Sequence, residues 1–465
     1  MAIHKPGRGK HPRKKKKQKL TIHTAERVPP ATIPEGAVFK GFRSFDVQDI
    51  VFHTHNTRYE LERWKLPNGT YIQGALPAGI HGHYGVALRA YVLQQTYQCR
   101  VPEGLLLQQL LDMGVLISAG QLHELVTADH GGFHKEKAEV LTAAIATGEI
   151  QTDDVGARHM GQNCYTNVIC NDFCVILTTT DSKSRINFLE ILAQGQDEYL
   201  LNGDAYRYLE ERGAKAHLVG SLRVSGTLAF ASLADWEAFL KGYGYLSSAD
   251  RRHLTEAALV ASLIAHGVPR DLGIHSDDAG QFDLFVQSLC WVHEERHYRK
   301  LLSSCPEMAH ELDLIKDAMW ELYRGLRAYK LNPTDSERAR LSQAFDDLFN
   351  PRTPSAFSIL AERLALTCAK KTQLLRVLER PAVPIHNNQS ETAGRCAKIK
   401  GKISGGTHCE KGRRAWDTFL SLLLTCRKHL IGFAEYLKDR ILGLGQIGRL
   451  GEIISRRAQG LPLPT

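Results

Sequence analysis

Apolar and polar positions alternate most regularly between Glu149 and Thr179, where the chain reads as three consecutive strands: Glu149 to Arg158, Cys164 to Asn171 and Phe173 to Thr179, the last two separated at Asn171-Asp172. The period then lengthens to that of an amphipathic helix from Ser184 through Leu192. After a variable stretch a short strand at Leu272 to Ser276 ends in Asp277-Asp278-Ala279-Gly280. Upstream, Val51 to Trp64 and Thr70 to Leu76 predict a hairpin through Leu66-Pro67-Asn68-Gly69, whose Asn-Gly pair supplies positive φ angles. Leu105 to Met113 and Ser118 to Val126 predict two helices about Gly114, with Ser118 as N-cap. That is helix-turn-helix spacing, which a plain packed helical hairpin shares. Downstream, Phe282 to Val377 reads as helical, broken at Cys305-Pro306, at Leu331-Asn332-Pro333 and at Pro351 to Pro354. A helix restarts over Asn387 to Ile399, and a long one over Arg413 to Leu442 carries Trp416, Leu420, Leu423 and Leu424 as its apolar positions.

Three strands, a helix and a further strand predict an α/β fold with a ribonuclease H-like catalytic core, a helical insertion, and a small β plus helical domain in front. The expected boundaries are an arm over 1–20, an N-terminal DNA-end-binding region over 21–145, a first part of the core over 146–300, the helical insertion over 301–380, a second part of the core over 381–445, and a flexible tail over 446–465.

Composition narrows this further. With 465 residues, 43% hydrophobic and 23% charged, wholesale disorder and a fibrous repeat are excluded. Apolar runs such as Leu259 to Ile264 fall far short of the ~20 residues of a membrane span, and the N-terminus is basic without an apolar signal core, so a cytoplasmic, nucleoid-associated protein without membrane contact is expected. Met1 to Leu20 hold seven Lys and two Arg with no acid, which accounts for the whole net charge of +9. Such a run repels itself and is expected to be a flexible arm that meets a polyanion, nucleic acid above all. Ten cysteines with no Cys-x-x-Cys spacing argue against both a disulfide scaffold and a four-cysteine zinc ribbon.

Phosphodiester chemistry with two Mg²⁺ ions needs carboxylates converging from distant parts of a chain. Three places qualify where strands end or a helix begins: Asp153 or Asp154, Asp277 or Asp278, and Glu391. They are 124 and 114 residues apart, so only the fold can gather them. Neighbours on a strand face opposite ways, and one member of each Asp pair can serve.

The segments Thr152 to His159, Ser182 to Glu190, His275 to Phe282 leading into Leu289 to Arg296, and Pro384-Ile-His-Asn-Asn-Gln-Ser-Glu391 resemble the insertion sequence 66 family of DDE transposases. The likeness continues through Ser404-Gly-Gly-Thr407 and Gly412 to Phe419, and spans roughly Ile33 to Leu442. The resemblance implies Asp153, Asp277 and Glu391 as the catalytic, metal-holding residues of an enzyme that cleaves insertion-sequence ends and transfers the strand. It implies two Mg²⁺ ions, with Mn²⁺ as substitute, and as partners terminal inverted repeats, target DNA, a second copy of the chain and accessory transposition proteins. Val155 stands where the family usually has Thr, losing a hydroxyl but no carboxylate. The family's cysteine-rich zinc segment is not recognisable, so zinc is not carried over. Cys290 and His293, three apart, read as a buried pair bracing the site, with His297 as a surface residue.

Basic residues then crowd after Glu391: Arg395, Lys398, Lys400, Lys402, Lys411, Arg413 and Arg414, a set expected to touch DNA. Lys398, seven residues past Glu391, falls on the same helix face. A nuclease without strand transfer, and an inactive DNA-binding relative of a transposase, are the alternatives to this reading.

Overall fold

The computed structural model describes residues 22–48, 50, 53–77, 82–128, 130–244, 246–350 and 355–461. The chain divides into two units, Met1–Phe52 and His53–Thr465. In the first, the described residues are exposed and form no helix or strand; Phe39 and Phe42 meet edge to face at 5.0 Å, and the Arg27 guanidinium lies 5.3 Å from the Phe42 ring. The basic arm expected over residues 1–20 lies outside the described residues, as does the Pro351 to Pro354 break.

The second unit opens on an antiparallel hairpin, β1 (Arg63–Lys65) and β2 (Tyr71–Gln73), that turns at Asn68-Gly69, with Gly69 at φ +86°. The strand expected from Val51 shrinks to three residues because, among the described residues, both strands of the hairpin are exposed. Helices α1 (Val86–Leu93), α2 (Glu103–Asp112), α3 (Ala119–Thr127) and α4 (Gly131–Ala146) follow. Ser118 caps α3 in a capping box with Gln121, and Gly114 turns the chain at φ +79°, as the spacing predicts. These helices are not a separate domain. Leu106, Leu122 and Val140 belong to one continuous apolar core with the sheet residues Val168, Ile176 and Ile274.

The strands β3 (Glu149–His159), β4 (Gln162–Cys170) and β5 (Val175–Thr180) form an antiparallel meander, followed by α5 (Arg185–Ala193). The stretch beyond α5 is a small subdomain: β6 (Tyr199–Leu201), α6 (Gly203–Glu211), α7 (Ala216–Val224), β7 (Leu228–Phe230), α8 (Leu233–Gly242) and α9 (Ser248–Ala265). The chain then returns to the sheet through β8 (Gly273–Ser276), parallel to β3, and β9 (Val286–Leu289), parallel to β8. The five-stranded mixed sheet has the order β5-β4-β3-β8-β9. Sequence reading takes Phe282 onward as helical and so misses β9, four residues whose Gln287 and Ser288 hide an otherwise apolar, buried strand.

After α10 (Trp291–Arg299) comes the helical insertion, α11 (Pro306–Leu331), α12 (Asp335–Phe349), α13 (Ser358–Cys368), α14 (Lys371–Leu374) and α15 (Arg376–Glu379), broken at Pro306 and Pro333 as predicted. It builds its own core around Leu326, Phe345, Phe349 and Leu360. The chain then forms α16 (Asn388–Ser404) and α17 (Glu410–Lys428). The single helix expected over Arg413 to Leu442 is in fact two, because Leu430 adopts φ +58° before α18 (Phe433–Leu442). The flexible tail expected from residue 446 is corrected as well: α19 (Leu450–Ala458) buries Leu450, Ile453 and Ile454 against α4, and Leu450 N donates to the buried Glu136 carboxylate at 3.0 Å.

Helix α17 lies along β5, an edge of the sheet. The backbone N–H groups of Val175, Leu177 and Thr179 donate to Thr425 Oγ1, Ser421 Oγ and Asp417 Oδ2 at 3.1, 2.8 and 2.7 Å. Four helical residues rise ~6 Å and two strand residues ~6.6 Å, so the two spacings stay in step over the contact. Among the described residues no helix is long and apolar enough to cross a membrane.

Candidate active site

Asp153 sits in the middle of β3, opposite Val168 of β4. Its neighbour on the same strand face is Val155, whose Cγ1 would lie 2.6 Å from a Cβ added at Gly394 of α16. Asp153 therefore faces α16, where Glu391 lies one turn nearer the N-terminus than Gly394. Val155, where the resembled family has Thr, thus packs against Gly394. Asp154 points away: it accepts from Asn167 Nδ2 at 3.1 Å and Gln281 Nε2 at 2.7 Å. Asp277 follows the last residue of β8, and its Oδ1 accepts from Ala279 N at 3.2 Å. Asp278 is exposed and ion-paired with Lys370. The structure thus separates each Asp pair where alternation alone leaves the choice open.

Burial is the largest cause that pushes the Asp153 carboxyl up to about 6, and the negative charges of Asp277, Glu391 and Asp154 push the same way against a backbone N–H from Asp154. Three carboxylates from two strands and a helix are close enough to repel. Glu391 Oε1 lies 3.2 Å from Arg296 Nη2 and 3.4 Å from His293 Nε2. Arg296 Nη1 also donates to His293 Nε2 at 2.9 Å. Burial, then Arg296, holds the His293 imidazole below its ordinary value, so the ring is neutral and accepts from Arg296. Its proton is then on Nδ1, a buried atom without a hydrogen-bond partner.

One residue ties the parts together. Asn387, fully buried at the N-terminus of α16, donates from Nδ2 to Thr152 O at 3.0 Å and accepts on Oδ1 from Ser390 Oγ at 2.6 Å. Its backbone N–H meets Cys290 Sγ at 3.2 Å. Asn387 thereby links the residues just before Asp153 and Glu391 to the start of α10. Cys290 is the N-cap of α10 and not part of its face, and it braces the Glu391 helix while His293 touches Glu391 itself. His297 is exposed, as expected. Sequence reasoning passed over Arg296 and Asn387; the signal was present in the spacing His293-x-x-Arg296, which puts both on one face of α10.

Hard carboxylate oxygens and their mutual repulsion suit a divalent cation such as Mg²⁺. Among the described residues no three His, Cys, Asp or Glu side chains are gathered in ligating positions, and Glu391 accepts from Arg296. The chemistry of the donors, carboxylate oxygens on Asp153, Asp277 and Glu391, is that of a Mg²⁺ site.

Of the basic cluster, Arg395, Lys398, Lys402, Lys411 and Arg414 are exposed. Lys400 is corrected: it is buried, donates to Thr96 O at 2.8 Å and lies 4.7 Å from the Trp416 ring, and burial holds its ammonium down to about 8. A side chain spent inside the core cannot reach DNA. Arg413 is likewise engaged, donating to Thr179 O at 3.2 Å and Glu410 Oε2 at 2.8 Å. The Gly405-Gly406 turn serves the fold: Gly406, at φ +105°, passes so close to Arg158 O that a Cβ would lie 2.4 Å away, and Thr407 then bridges to His159.

The class of the protein follows from residues 279–415, which begin two residues after Asp277, contain Glu391 and its supports, and match a family described as "Transposase IS66 family". An uncharacterized protein, y4jO, of Sinorhizobium fredii is 38% identical over 314 residues, 66% of this chain and 97% of that protein. No solved structure matches the chain. The chain belongs to the IS66 family of transposases.

Proposed function

We propose that the chain is a DNA transposase of the DDE type, built on a ribonuclease H-like core, that cleaves the ends of an insertion sequence and joins them to target DNA. The observation that carries this reading is the packing of β3 on α16: Val155 against Gly394 and the Asn387 bridge to Thr152 set Asp153 toward the helix that bears Glu391, and burial, with the lesser push of the Asp277 and Glu391 charges, raises the Asp153 carboxyl. The strand order, with a meander followed by parallel β8 and β9, supports the core assignment.

Asp153, Asp277 and Glu391 would hold two Mg²⁺ ions, or Mn²⁺ in their place, which when bound supply charge neutralisation and Lewis acidity at the scissile phosphate. Arg296 orients Glu391 through its Oε1, and His293 Nε2, accepting from Arg296 Nη1, positions the guanidinium. Asn387 holds the Glu391 helix to β3. Lys398, about 10 Å along α16 from Glu391, grips a phosphate beside the cut, with Arg395, Lys402, Lys411 and Arg414 extending the track. Terminal inverted repeats and target DNA are the partners, a second copy of the chain pairs the two ends, and accessory transposition proteins assist. A DNA substrate is the ground for reading the protein as cytoplasmic and nucleoid-associated.

The test is a cleavage and joining assay on DNA carrying the inverted repeats that flank the reading frame. Asp153→Asn, Asp277→Asn and Glu391→Gln should each lower Mg²⁺-dependent cleavage by orders of magnitude with end binding retained. Asp154→Asn and Asp278→Asn should cleave within a few-fold of wild type. Cleavage at the wild-type rate by Glu391→Gln sinks the assignment, and cleavage of ends without joined products reduces the protein to a nuclease.

A further inference from the structure

At the far end of β3 from Asp153, three side chains outside the carboxylate site contact one another in series. Cys409 is the N-cap of α17, and its Sγ accepts from Gly412 N at 3.3 Å. The same sulfur lies 3.9 Å from His123 Nε2, and His123 Nδ1 lies 3.0 Å from Glu103 Oε2. The carboxylate on Nδ1 orients the imidazole with Nε2 toward the thiol, and the Gly412 N–H points at the same sulfur.

The three groups line a cavity of about 380 Å³ whose walls include Thr96, Lys400 and Trp416. Thr96 in this wall is 4% exposed and its Oγ1 has no hydrogen-bond partner. Cys409 itself is half-buried and reachable. Phosphodiester chemistry at Asp153 uses none of these groups.

We propose that Cys409 is a nucleophilic thiol that forms a mixed disulfide with a low-molecular-weight disulfide entering this cavity, with His123 as proton acceptor and Glu103 as the residue positioning it. Cys409 Sγ gives its proton to His123 Nε2 and bonds to one sulfur of the incoming disulfide. The S–S bond breaks and its electron pair leaves on the second sulfur, which takes the proton from His123. Cys409 is oxidised, and the departing half is reduced to a thiol.

The chain carries its own controls, because Cys99 is exposed whereas Cys170, Cys174 and Cys426 are buried. Full-length protein is treated with oxidised glutathione, or with limiting iodoacetamide, and modification is quantified at each cysteine by peptide mass spectrometry. Cys409 should react about tenfold faster than Cys99 with both reagents. His123→Ala should bring Cys409 to the rate of Cys99, and Glu103→Gln should slow it several-fold, with Cys99 unchanged in both variants and the buried cysteines still protected. If His123→Ala exposes the buried cysteines, His123→Gln takes its place. A wild-type Cys409 no faster than Cys99 overturns the proposal, as does an undiminished rate in a His123 variant whose buried cysteines remain protected. Neither outcome bears on the carboxylate site.

Discussion

Asp153 contributes to stability with a sign opposite to that of a paired carboxylate. Its folded value of about 6 lies above the ordinary 3.8. Below the ordinary value it is protonated in both states and costs nothing; as pH rises through the folded value the unfolded chain releases the proton more readily, and folding is penalised in full above it. Asp153→Asn should therefore raise the thermal midpoint at pH 7.5 by about 1–3 °C, an advantage that disappears near pH 3.5. Mg²⁺ should raise the midpoint of wild type more than that of the Asn variant, a comparison read by calorimetry without any cleavage. Two lysines of one helix make a second contrast at this scale. Lys398→Ala should flatten the slope of log affinity against log salt by roughly 0.9, whereas Lys400→Ala should leave the slope unchanged and lower stability, because it strips Thr96 O of its donor and empties space beside Trp416. Sequence counts both as exposed charges. Helical periodicity does separate them, but the Tyr97 and Trp416 rings that accept the Lys400 ammonium come from other elements and carry no local mark.

The attachment of α16 to the sheet is where position becomes chemistry. Gly394 admits Val155, and Asn387 joins Thr152, Ser390 and Cys290. Asn387→Ala leaves Thr152 O and Ser390 Oγ around a hole where a side-chain amide stood, and should cost about 1–3 kcal/mol in denaturant unfolding. Gly394→Ala should lift the helix from β3 and reduce cleavage at least tenfold while end binding persists. Elements with strong periodicity were legible: β3 to β5, α5, and the breaks of the insertion at Pro306 and Pro333 fall within a residue or two of the sequence reading. The failures share one cause, that long-range packing overrides a local pattern. β9 is four residues long, the β1 strand is exposed, and α17 and α18 share an apolar pattern that runs through the Leu430 turn. At the site, alternation narrows the carboxylates to pairs and the family resemblance picks Asp153 and Asp277; the partners that engage the other members, Asn167 and Gln281 on Asp154 and Lys370 on Asp278, are distant in sequence and carry no local mark.

Across the whole unit, the C-terminal residues have a structural role that composition concealed. Glu136, buried in α4, is answered by Arg440, Tyr436 and the Leu450 amide, and the Arg440 pair is only part of that set. Truncation after residue 445 should remove α19, expose the α4 face and cost several kcal/mol, seen as a lower urea midpoint; an unchanged midpoint would restore the reading of a dispensable tail. Deleting Met1 to Leu20 should weaken binding to all DNA sequences alike, with a contribution of up to roughly 8 to the salt slope at 0.9 per phosphate.

The polar row that α17 lays along β5 also governs how copies of this chain can meet. An edge strand with free N–H groups is a template on which a neighbouring chain can add its own strand, the route by which sheets spread into fibrils. Asp417, Ser421 and Thr425 occupy those donors from within the same molecule. At this edge a second copy can therefore meet the molecule only through side-chain surfaces, and the sheet cannot extend past β5 into a neighbouring chain.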